Sequence, residues 1–315
     1  HPDKAVRALQ TGFVAAKQVG ESDTLVGALV GIAMGTLTAM ELELLLSQEN
    51  TPNLYWALAD LPRPFIDMRR PLAGERTGVY GTFPGLIEAV NNTDAPPLTP
   101  EQIKPAFNLL VMEFNVGKDY PTRAAISVWV RAKHAEAKES LVAAGYDRAR
   151  VDKMPHMQVA LMHAMQQYDR LFDEMLKWQT FPYAEAIQGM EQAERRVREA
   201  QAKVLSPSGD VPALPLATLF LPAIRRAWSA HARIDRRLAA LRCVEAIRLY
   251  AAAHGGKLPR ALADVKEVPV PPDPYTGKPF AYRLAGGVAT LEGPPPAGEK
   301  ANPANALVYE LVVEK

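Results

Sequence analysis

Helical periodicity fills the first two-thirds of this chain and stops where prolines accumulate, and this change constrains the fold most. Residues 2–19 place apolar side chains at the spacing of one helical face. The same period recurs over residues 23–47, 99–114, 121–144, 155–178, 182–204 and 217–254. Alternation typical of strands is confined to residues 280–284, 288–291 and 307–313. The pattern predicts a mainly α fold: a multi-helix body, then a long helix and a small antiparallel β-sheet, giving an α+β C-terminal lobe.

Capping residues indicate where several of these helices begin and end. Thr99 and Gln102 have the spacing of a capping box, in which each side chain accepts a bond from the other residue's backbone N–H. Gly145 is suited to end a helix, because glycine adopts positive φ without strain. Either Ser22 or Asp23 can cap the helix predicted over residues 23–47.

A composition change near residue 206 predicts a domain boundary. The segment SPSGDVPALP holds three prolines and a glycine and has no helical period. We therefore predict an all-helical domain over residues 1–205 and a linker over 206–216. Residues 217–315 form the remainder, a long helix joined to a small β lobe whose strands are connected through the turn at 285–287.

Charge and cysteine content exclude some partners and chemistries. The 36 basic and 35 acidic residues nearly cancel, so neither nucleic acid nor an anionic membrane surface is expected as the main partner. A lone Cys243 excludes an internal disulfide and a cysteine-cluster metal site, and its mid-helix position predicts a buried, unreactive thiol. Because the chain begins at His1, we expect a trimmed product whose signal peptide or anchor is not part of this sequence.

One uncharged stretch, residues 25–40, has two interpretations. Gly27, Gly31 and Gly35 recur at four-residue spacing, which lets two helices approach closely. The stretch covers sixteen residues before Glu41, whereas a membrane span needs about 20. It therefore predicts a core helix packed closely on a neighbour, and no membrane span within the chain.

Residues 154–165 combine four methionines with two histidines, a composition that a soft copper ion can use. On a helix His156 and His163 lie seven residues apart on one face, with Met162 beside the second. The alternative is that methionine fills irregular gaps in a helical core. We predict that no metal or other cofactor is bound, and keep these three residues as weak metal candidates.

A second group of polar residues follows the uncharged stretch. Glu41 and Glu43 close its helix, and Arg69, Arg70 and Arg76 come soon after, in a region broken by prolines. Buried carboxylates need partners, so these arginines either form a structural ion-pair network or line a polar cleft. A cleft of this kind is where an enzyme or small-molecule binder would have its site.

Further along, Arg242, Glu245 and Arg248 have the spacing of simple intrahelical pairs. The sequence has no G-x-S-x-G, H-E-x-x-H, P-loop or G-x-G-x-x-G motif, which lowers the expectation of an enzyme and leaves no catalytic residue to name.

Three segments between residues 219 and 284 have a recognisable order. AIRLY at 246–250 is followed by HGGKLP at 254–259 and by DPYTGKP at 273–279. In this order they resemble the soluble lobe of type II secretion pseudopilins. The resemblance implies a long helix, a glycine turn, a short helix and a turn at Asp273 that leads into an antiparallel sheet. Asp273 can cap that turn, and Gly277 permits positive φ within it.

Two features of pseudopilins are missing, which limits what the resemblance implies. The polymerising N-terminal helix is absent, and residues 286–306 offer only Glu292 and Glu299 where some members have an acidic calcium loop. Neither filament assembly nor calcium binding is therefore expected. The resemblance implies a non-enzymatic structural or interaction protein of the cell envelope, periplasmic or otherwise extracytoplasmic, with protein partners and with oligomerisation possible. The alternative is a helical enzyme or small-molecule binder with the charged cleft.

Overall fold

The computed structural model describes residues 2–81, 85–114, 122–204, 215–295, 300–302 and 305–313. Its helices are α1 (Pro2–Gly20), α2 (Leu25–Leu46), α3 (Tyr55–Ala59), α4 (Arg69–Gly81), α5 (Leu86–Asn91), α6 (Pro100–Phe114), α7 (Thr122–Ala143), α8 (Arg148–Val151), α9 (His156–Leu176), α10 (Tyr183–Val204) and α11 (Pro215–Ala253). Two 3₁₀ turns cover Lys177–Thr180 and Leu262–Asp264, and the strands are β1 (Ala281–Ala285), β2 (Val288–Gly293) and β3 (Leu307–Val312). The predicted mainly helical fold with a small antiparallel C-terminal sheet is confirmed.

Local capping signals were good guides to the helix ends. The Thr99 N–H donates to Gln102 Oε1 at 2.8 Å and the Gln102 N–H to Thr99 Oγ1 at 3.4 Å, so the predicted capping box forms. Gly145 follows α7 with φ of 100°. The predicted cap of α2 was wrong: Thr24, rather than Ser22 or Asp23, accepts the Gly27 N–H.

By its internal contacts the chain forms two compact units. The first comprises His1–Pro71, Phe181–Ile187 and Arg226–Lys315, and the second Leu72–Thr180 and Gln188–Arg225. This division differs from the boundary predicted at 206–216, because the first seventy residues pack with the C-terminal lobe. Of that predicted linker, residues 206–214 lie outside the described part of the chain, and residues 215–216 begin α11.

The second unit is built around α9, which is buried along most of its length. Gln158, fully buried on α9, accepts the Leu98 N–H at 2.8 Å. Tyr146, between α7 and α8, donates its hydroxyl to the Val90 carbonyl at 2.6 Å. Buried polar groups are costly unless paired, and these bonds fix the loop before α6 and the end of α5 to the helical core.

In the first unit α1 and α2 form a closely packed helical hairpin. A Cβ added at Gly31 would lie 2.5 Å from the Cα of Gly20, and one added at Gly35 would lie 2.6 Å from the Phe65 ring. The close helix packing predicted from the glycine spacing is thus observed. It places Ala28, Ile32, Ala39 and Leu42 of α2 in the core.

The opposite face of α2 is apolar and exposed, which the sequence did not predict. Its large side chains are Val26, Leu29, Val30, Leu37, Met40 and Leu44, with exposed fractions of 71%, 38%, 46%, 62%, 45% and 61%. The helix continues past Glu41 to Leu46, close to the predicted end at residue 47, and its 22 residues exceed the uncharged stretch of sixteen. Within the described residues α2 is the one helix long and apolar enough to cross a membrane, a statement about length and composition only.

The C-terminal lobe is a three-stranded antiparallel sheet, in the order β1-β2-β3, packed on the end of α11. Gly286 and Gly287, with φ of 61° and 86°, make the predicted hairpin turn between β1 and β2, which closes at the pair Ala285 and Val288. The buried core between helix and sheet consists of Ala239, Ala240, Cys243, Val244, Ile247, Leu262, Phe280 and Leu291. The later turns of α11 therefore supply one side of the lobe's core.

Candidate functional site

The first predicted cleft residue, Glu43, is tied to the C-terminal lobe. The Tyr309 hydroxyl on β3 donates to Glu43 Oε1 at 2.6 Å, and Arg237 Nη1 lies 3.4 Å from the other carboxylate oxygen. Burial and the bond to Glu43 raise the pKa of Tyr309, so its hydroxyl stays protonated and donates. Glu41, two residues earlier, is exposed. Glu43 therefore holds α2 against strand β3, which is a structural contact.

The predicted cleft residues Arg69 and Arg70 form local ion pairs at the surface. Arg69 Nε donates to Asp67 Oδ1 at 2.9 Å, and Arg70 Nε lies 2.5 Å from Asp23 Oδ1. Each arginine lowers the pKa of its carboxylate partner, chiefly through the side-chain hydrogen bond. Both arginine side chains are about two-thirds exposed, and exposed ion pairs contribute little to stability.

Arg76 belongs to the second unit and has two acidic partners there. Its guanidinium lies 2.8 Å from Asp169 and 2.7 Å from Asp173, and 5.6 Å from the centre of the Phe172 ring. Burial lowers the pKa of Arg76, but the two carboxylates raise it by more. The Tyr80 hydroxyl also donates to Asp169. Arg69, Arg70 and Arg76 thus each pair with an aspartate, and none of these pairs includes Glu41 or Glu43, the partners that both the ion-pair and the cleft alternatives had expected.

The histidine and methionine candidates on α9 also have separate neighbours. The exposed His156 stacks on His134 with ring centres 3.9 Å apart. His163 is buried, and its Nε2 lies 3.7 Å from Glu136; burial lowers the pKa of His163. The Met162 sulfur accepts from Gln158 Nε2 at 3.6 Å. Over the described ranges no three side chains of the types His, Cys, Asp and Glu come together as a metal site would require.

A deeply buried charge on α11, Arg236, was not predicted from the sequence. This side chain is 1% exposed and forms a two-bond pair with Asp273, at 2.9 and 2.6 Å. It also donates to the carbonyls of Pro294, at 2.6 Å, and Asn305, at 2.9 Å. A Cβ on Gly293 would lie 3.0 Å from the guanidinium carbon. Arg236 therefore joins three distant loops at one point of the lobe.

Aromatic rings extend this centre on one side. The Arg236 guanidinium lies 4.3 Å from the centre of the Tyr275 ring, a cation–π geometry. Tyr183 stacks on Tyr275 at 4.7 Å and on Trp228 at 4.4 Å. The stack brings residues 181–187 into the first unit, which explains why this short segment belongs to it.

The predicted turn at Asp273 is observed with its backbone bonds. Asp273 Oδ1 accepts the Tyr275 N–H at 2.9 Å, and the Gly277 N–H donates to the Asp273 carbonyl at 2.8 Å. Gly277 has φ of 66°, as expected for this position. The same carboxylate thus caps the turn and neutralises Arg236.

The interpretation of Arg242, Glu245 and Arg248 as simple intrahelical pairs was incomplete. Arg248 does pair with Glu245 at 2.6 Å, but Glu245 is fully buried and also accepts the Leu54 N–H. Arg248 donates to the Thr51 carbonyl at 2.8 Å. These bonds attach residues 51–54 to α11, nearly two hundred positions away in the chain.

Cys243 is buried as predicted, and its sulfur lies 3.4 Å from the Pro271 carbonyl. Burial raises the pKa of this thiol to about 12, so it stays protonated and is a poor nucleophile at neutral pH.

Among the described residues of the first unit, two of the cavities are large. The larger, about 750 Å³, lies along the proline-rich segment 268–272 and is lined also by Phe280 and Tyr282. The other, about 510 Å³, lies between α1 and α3. It is lined mostly by apolar side chains such as Phe13, Leu58 and Phe65, together with Lys17 and Asp60. Neither is lined by the predicted cleft or metal residues.

No protein-family model, curated protein or solved structure matches this chain. The functional conclusion therefore depends on the chain's own residues and on the contacts described above.

Proposed function

We propose that this protein is a non-enzymatic structural or interaction protein of the bacterial cell envelope, working outside the cytoplasm through contacts with other proteins. The observation that carries the proposal is the order of structural elements in the C-terminal lobe. The end of α11 is followed by the glycine turn at 255–256, a 3₁₀ turn, the Asp273 turn and an antiparallel sheet. This is the order of parts implied by the resemblance to pseudopilins, which are envelope-assembled structural subunits.

The use of charge in the first unit supports a scaffold role. Three charged side chains each hydrogen-bond to a residue remote in the sequence: Arg236 to Asn305, Glu245 to Leu54 and Glu43 to Tyr309. Arg236 and Glu245 are buried with several hydrogen bonds, and satisfied buried polar groups favour one fixed arrangement of loops over alternatives. A rigid lobe of this kind can present a constant surface to a protein partner.

Cell fractionation tests the location. The complete reading frame, with a C-terminal tag, is expressed in a Gram-negative host alongside cytoplasmic and periplasmic marker proteins. We expect the tagged protein to follow the periplasmic or envelope marker and to become protease-accessible once the outer membrane is permeabilised. If it stays with the cytoplasmic marker in intact spheroplasts, the proposal is wrong.

One observation favours a second candidate function, that of a small-molecule binder. The cavity of about 510 Å³ between α1 and α3 is mostly apolar, and its lining includes Lys17 and Asp60. A ligand that binds only the folded state raises the melting temperature by mass action. A thermal-shift screen of apolar carboxylic acids, repeated on Leu58→Trp to fill the cavity, tests this function. A shift that is lost in the variant would support it, and no shift in the native protein would reject it.

A further inference from the structure

We propose that the exposed face of α2 is the seam of a homodimer, in which two copies of α2 pack antiparallel about a two-fold axis. This deepens the proposed function, because it names a second copy of the chain as one protein partner. Six side chains of this face form the seam, with the exposed Leu29 beside them: Val26, Val30, Ala33, Leu37, Met40 and Leu44. All six are exposed in the single chain.

The spacing of these residues indicates a helix as the occupant. They alternate steps of four and three, so that Val30, Leu37 and Leu44 recur every seven residues. A seven-residue repeat of two apolar positions is the pattern of a coiled-coil seam. The inner face of α2, with Gly31 and Gly35, is already used by α1 and by Phe65. The outer seam is therefore a second, independent packing surface.

A bilayer is a poorer occupant than a helix. Helices that lie in a membrane interface carry basic residues on the polar face, and α2 has none in its first or last turn. The bond from Tyr309 to Glu43 holds its C-terminal half on the β lobe. Insertion as a span would also expose the Gly31 contact with α1 and bury Glu43 in lipid at high cost.

The seam is complementary to itself when the second copy runs antiparallel. A two-fold axis near residue 35 sets Val26 opposite Leu44, Val30 opposite Met40, and the small Ala33 opposite Leu37. Large and small side chains then alternate across the layer, as close packing requires. A two-fold interface needs this kind of self-matching on one patch.

Charge also favours the antiparallel orientation. In a parallel pair, the exposed Glu41 of both copies would lie together at one end of the seam. In the antiparallel pair Glu41 faces the level of Leu29, and the two Glu41 residues are about 18 Å apart along the axis, from a rise of about 1.5 Å per residue. Like charges placed side by side disfavour pairing.

The main test measures the mass of the purified native chain by sedimentation and light scattering over a wide concentration range. We expect a concentration-dependent dimer. Leu37→Glu should raise its dissociation constant by about a hundredfold or more, because a lone carboxylate would be buried in the seam. Val128→Glu is the matched control: Val128 on α7 is 63% exposed and lies outside the seam, so its variant should dimerise normally. Circular dichroism checks folding, and Leu44→Lys provides a second seam variant.

Orientation is tested with cysteines, since the native Cys243 is buried and unreactive. Val26→Cys and Leu44→Cys chains, with tags of different size, are mixed and oxidised after subunit exchange. We expect disulfides between the two different variants and almost none between identical ones. Disulfides within each variant would overturn the antiparallel seam.

Other outcomes overturn the whole proposal. A native chain that stays monomeric would do so, as would a dimer unaffected by both seam variants. A monomer that binds neutral lipid vesicles through Leu37 would assign the face to lipid instead. The two proposals can fail separately. A monomer found in the periplasm contradicts only the dimer seam, whereas an antiparallel dimer found in the cytoplasm contradicts only the envelope location.

Discussion

Helix α2 and the later part of α11, from Arg226 onwards, reverse the usual relation between charge and burial. The sequence of α2 is uncharged for sixteen residues, yet one of its faces is exposed along its whole length. The sequence of α11 has arginines and acidic residues throughout this part, yet Arg236, Arg242 and Glu245 are less than a tenth exposed. Hydropathy alone would have predicted that α2 is buried on all sides and that the charged side chains of α11 are exposed.

The difference shows what decides burial in this protein. A charged side chain is buried where loops supply enough acceptors, and Arg236 has a carboxylate and two carbonyls from three loops. An apolar side chain stays exposed where no element of the chain is left to cover it. Burial is therefore set by the partners that the fold provides, and the residue's own transfer energy comes second.

The strongest way to break this comparison is to remove the charge at the centre of the lobe. Arg236→Met leaves the buried Asp273 without its partner, and loss of one member of a buried pair costs about 3–5 kcal/mol. We expect the amides of β1–β3 to lose that much protection in native-state hydrogen exchange. Adding Asp273→Asn should restore part of it, because the second charge is then also removed.

Arg233→Met is the matched control, since Arg233 lies on the same helix and is only partly buried. Its effect should stay within about 0.5 kcal/mol. Equal losses in the two variants would mean that the bonds of Arg236 do not stabilise the lobe.

The apolar side of the comparison is tested at the contact between α1 and α2. Gly31→Ala would place a Cβ 2.5 Å from backbone atoms of Gly20, which cannot move aside as a flexible side chain can. We expect a loss of about 2–3 kcal/mol in urea unfolding followed by circular dichroism. Gly78→Ala in α4 is the control, because no atom lies within 4 Å of its new Cβ. That variant should gain about 0.5–1 kcal/mol from helix propensity, and a similar gain at Gly31 would contradict the close packing.

A smaller effect is expected at Glu245, which tests whether a buried charge on α11 fastens residues 51–54. Glu245→Gln keeps an acceptor for the Leu54 N–H but loses the charge that pairs with Arg248. We expect a loss of about 1–3 kcal/mol, with faster exchange of the Leu54 amide. Glu310→Gln, exposed on β3, should change neither quantity. Unchanged exchange at Leu54 would show that this segment is held by other contacts.

Local signals predicted much of the helical fold. Thr99 with Gln102 located a helix start, Gly145 a helix end, and Gly286 with Gly287 the hairpin turn, because each depends on residues a few positions apart. The Asp273 turn was predictable for the same reason. The cap of α2 was misplaced by one residue, since neighbouring residues with similar side chains compete for that role.

The partners of the buried charges could not be predicted. Arg236 meets groups 37, 58 and 69 positions away, and Glu245 meets one 191 positions away. Sequence spacing carries no measure of such approaches, so Arg69, Arg70 and Arg76 were grouped by nearness in the chain and proved to have separate partners. The exposure of one face of α2 was hidden similarly, because the pattern shows apolar positions but not which are covered.

The smallest expected effect concerns a partly buried carboxylate on α11, Asp235, which accepts the Phe65 N–H at 2.9 Å. Burial raises the pKa of Asp235, with the nearby His231 opposing the shift. The folded state then binds the proton more tightly than the unfolded state does. The contribution of Asp235 to stability is therefore present below a pH of about 3.8 and is lost as the pH rises through the raised pKa.

The variant Asp235→Asn keeps an acceptor for the Phe65 N–H and removes the charge. We expect it to match or exceed the native stability at pH 7 by less than about 1 kcal/mol. As the pH falls towards 3.8, the native protein should gain on the variant in urea unfolding. His231→Gln is the control for titration of the histidine and should leave that gain in place. If the native protein instead becomes more stable than the variant as the pH rises, the fold stabilises Asp235 as the anion. The cost of burying this charge on α11 would then be offset by its partners, as it is at Arg236.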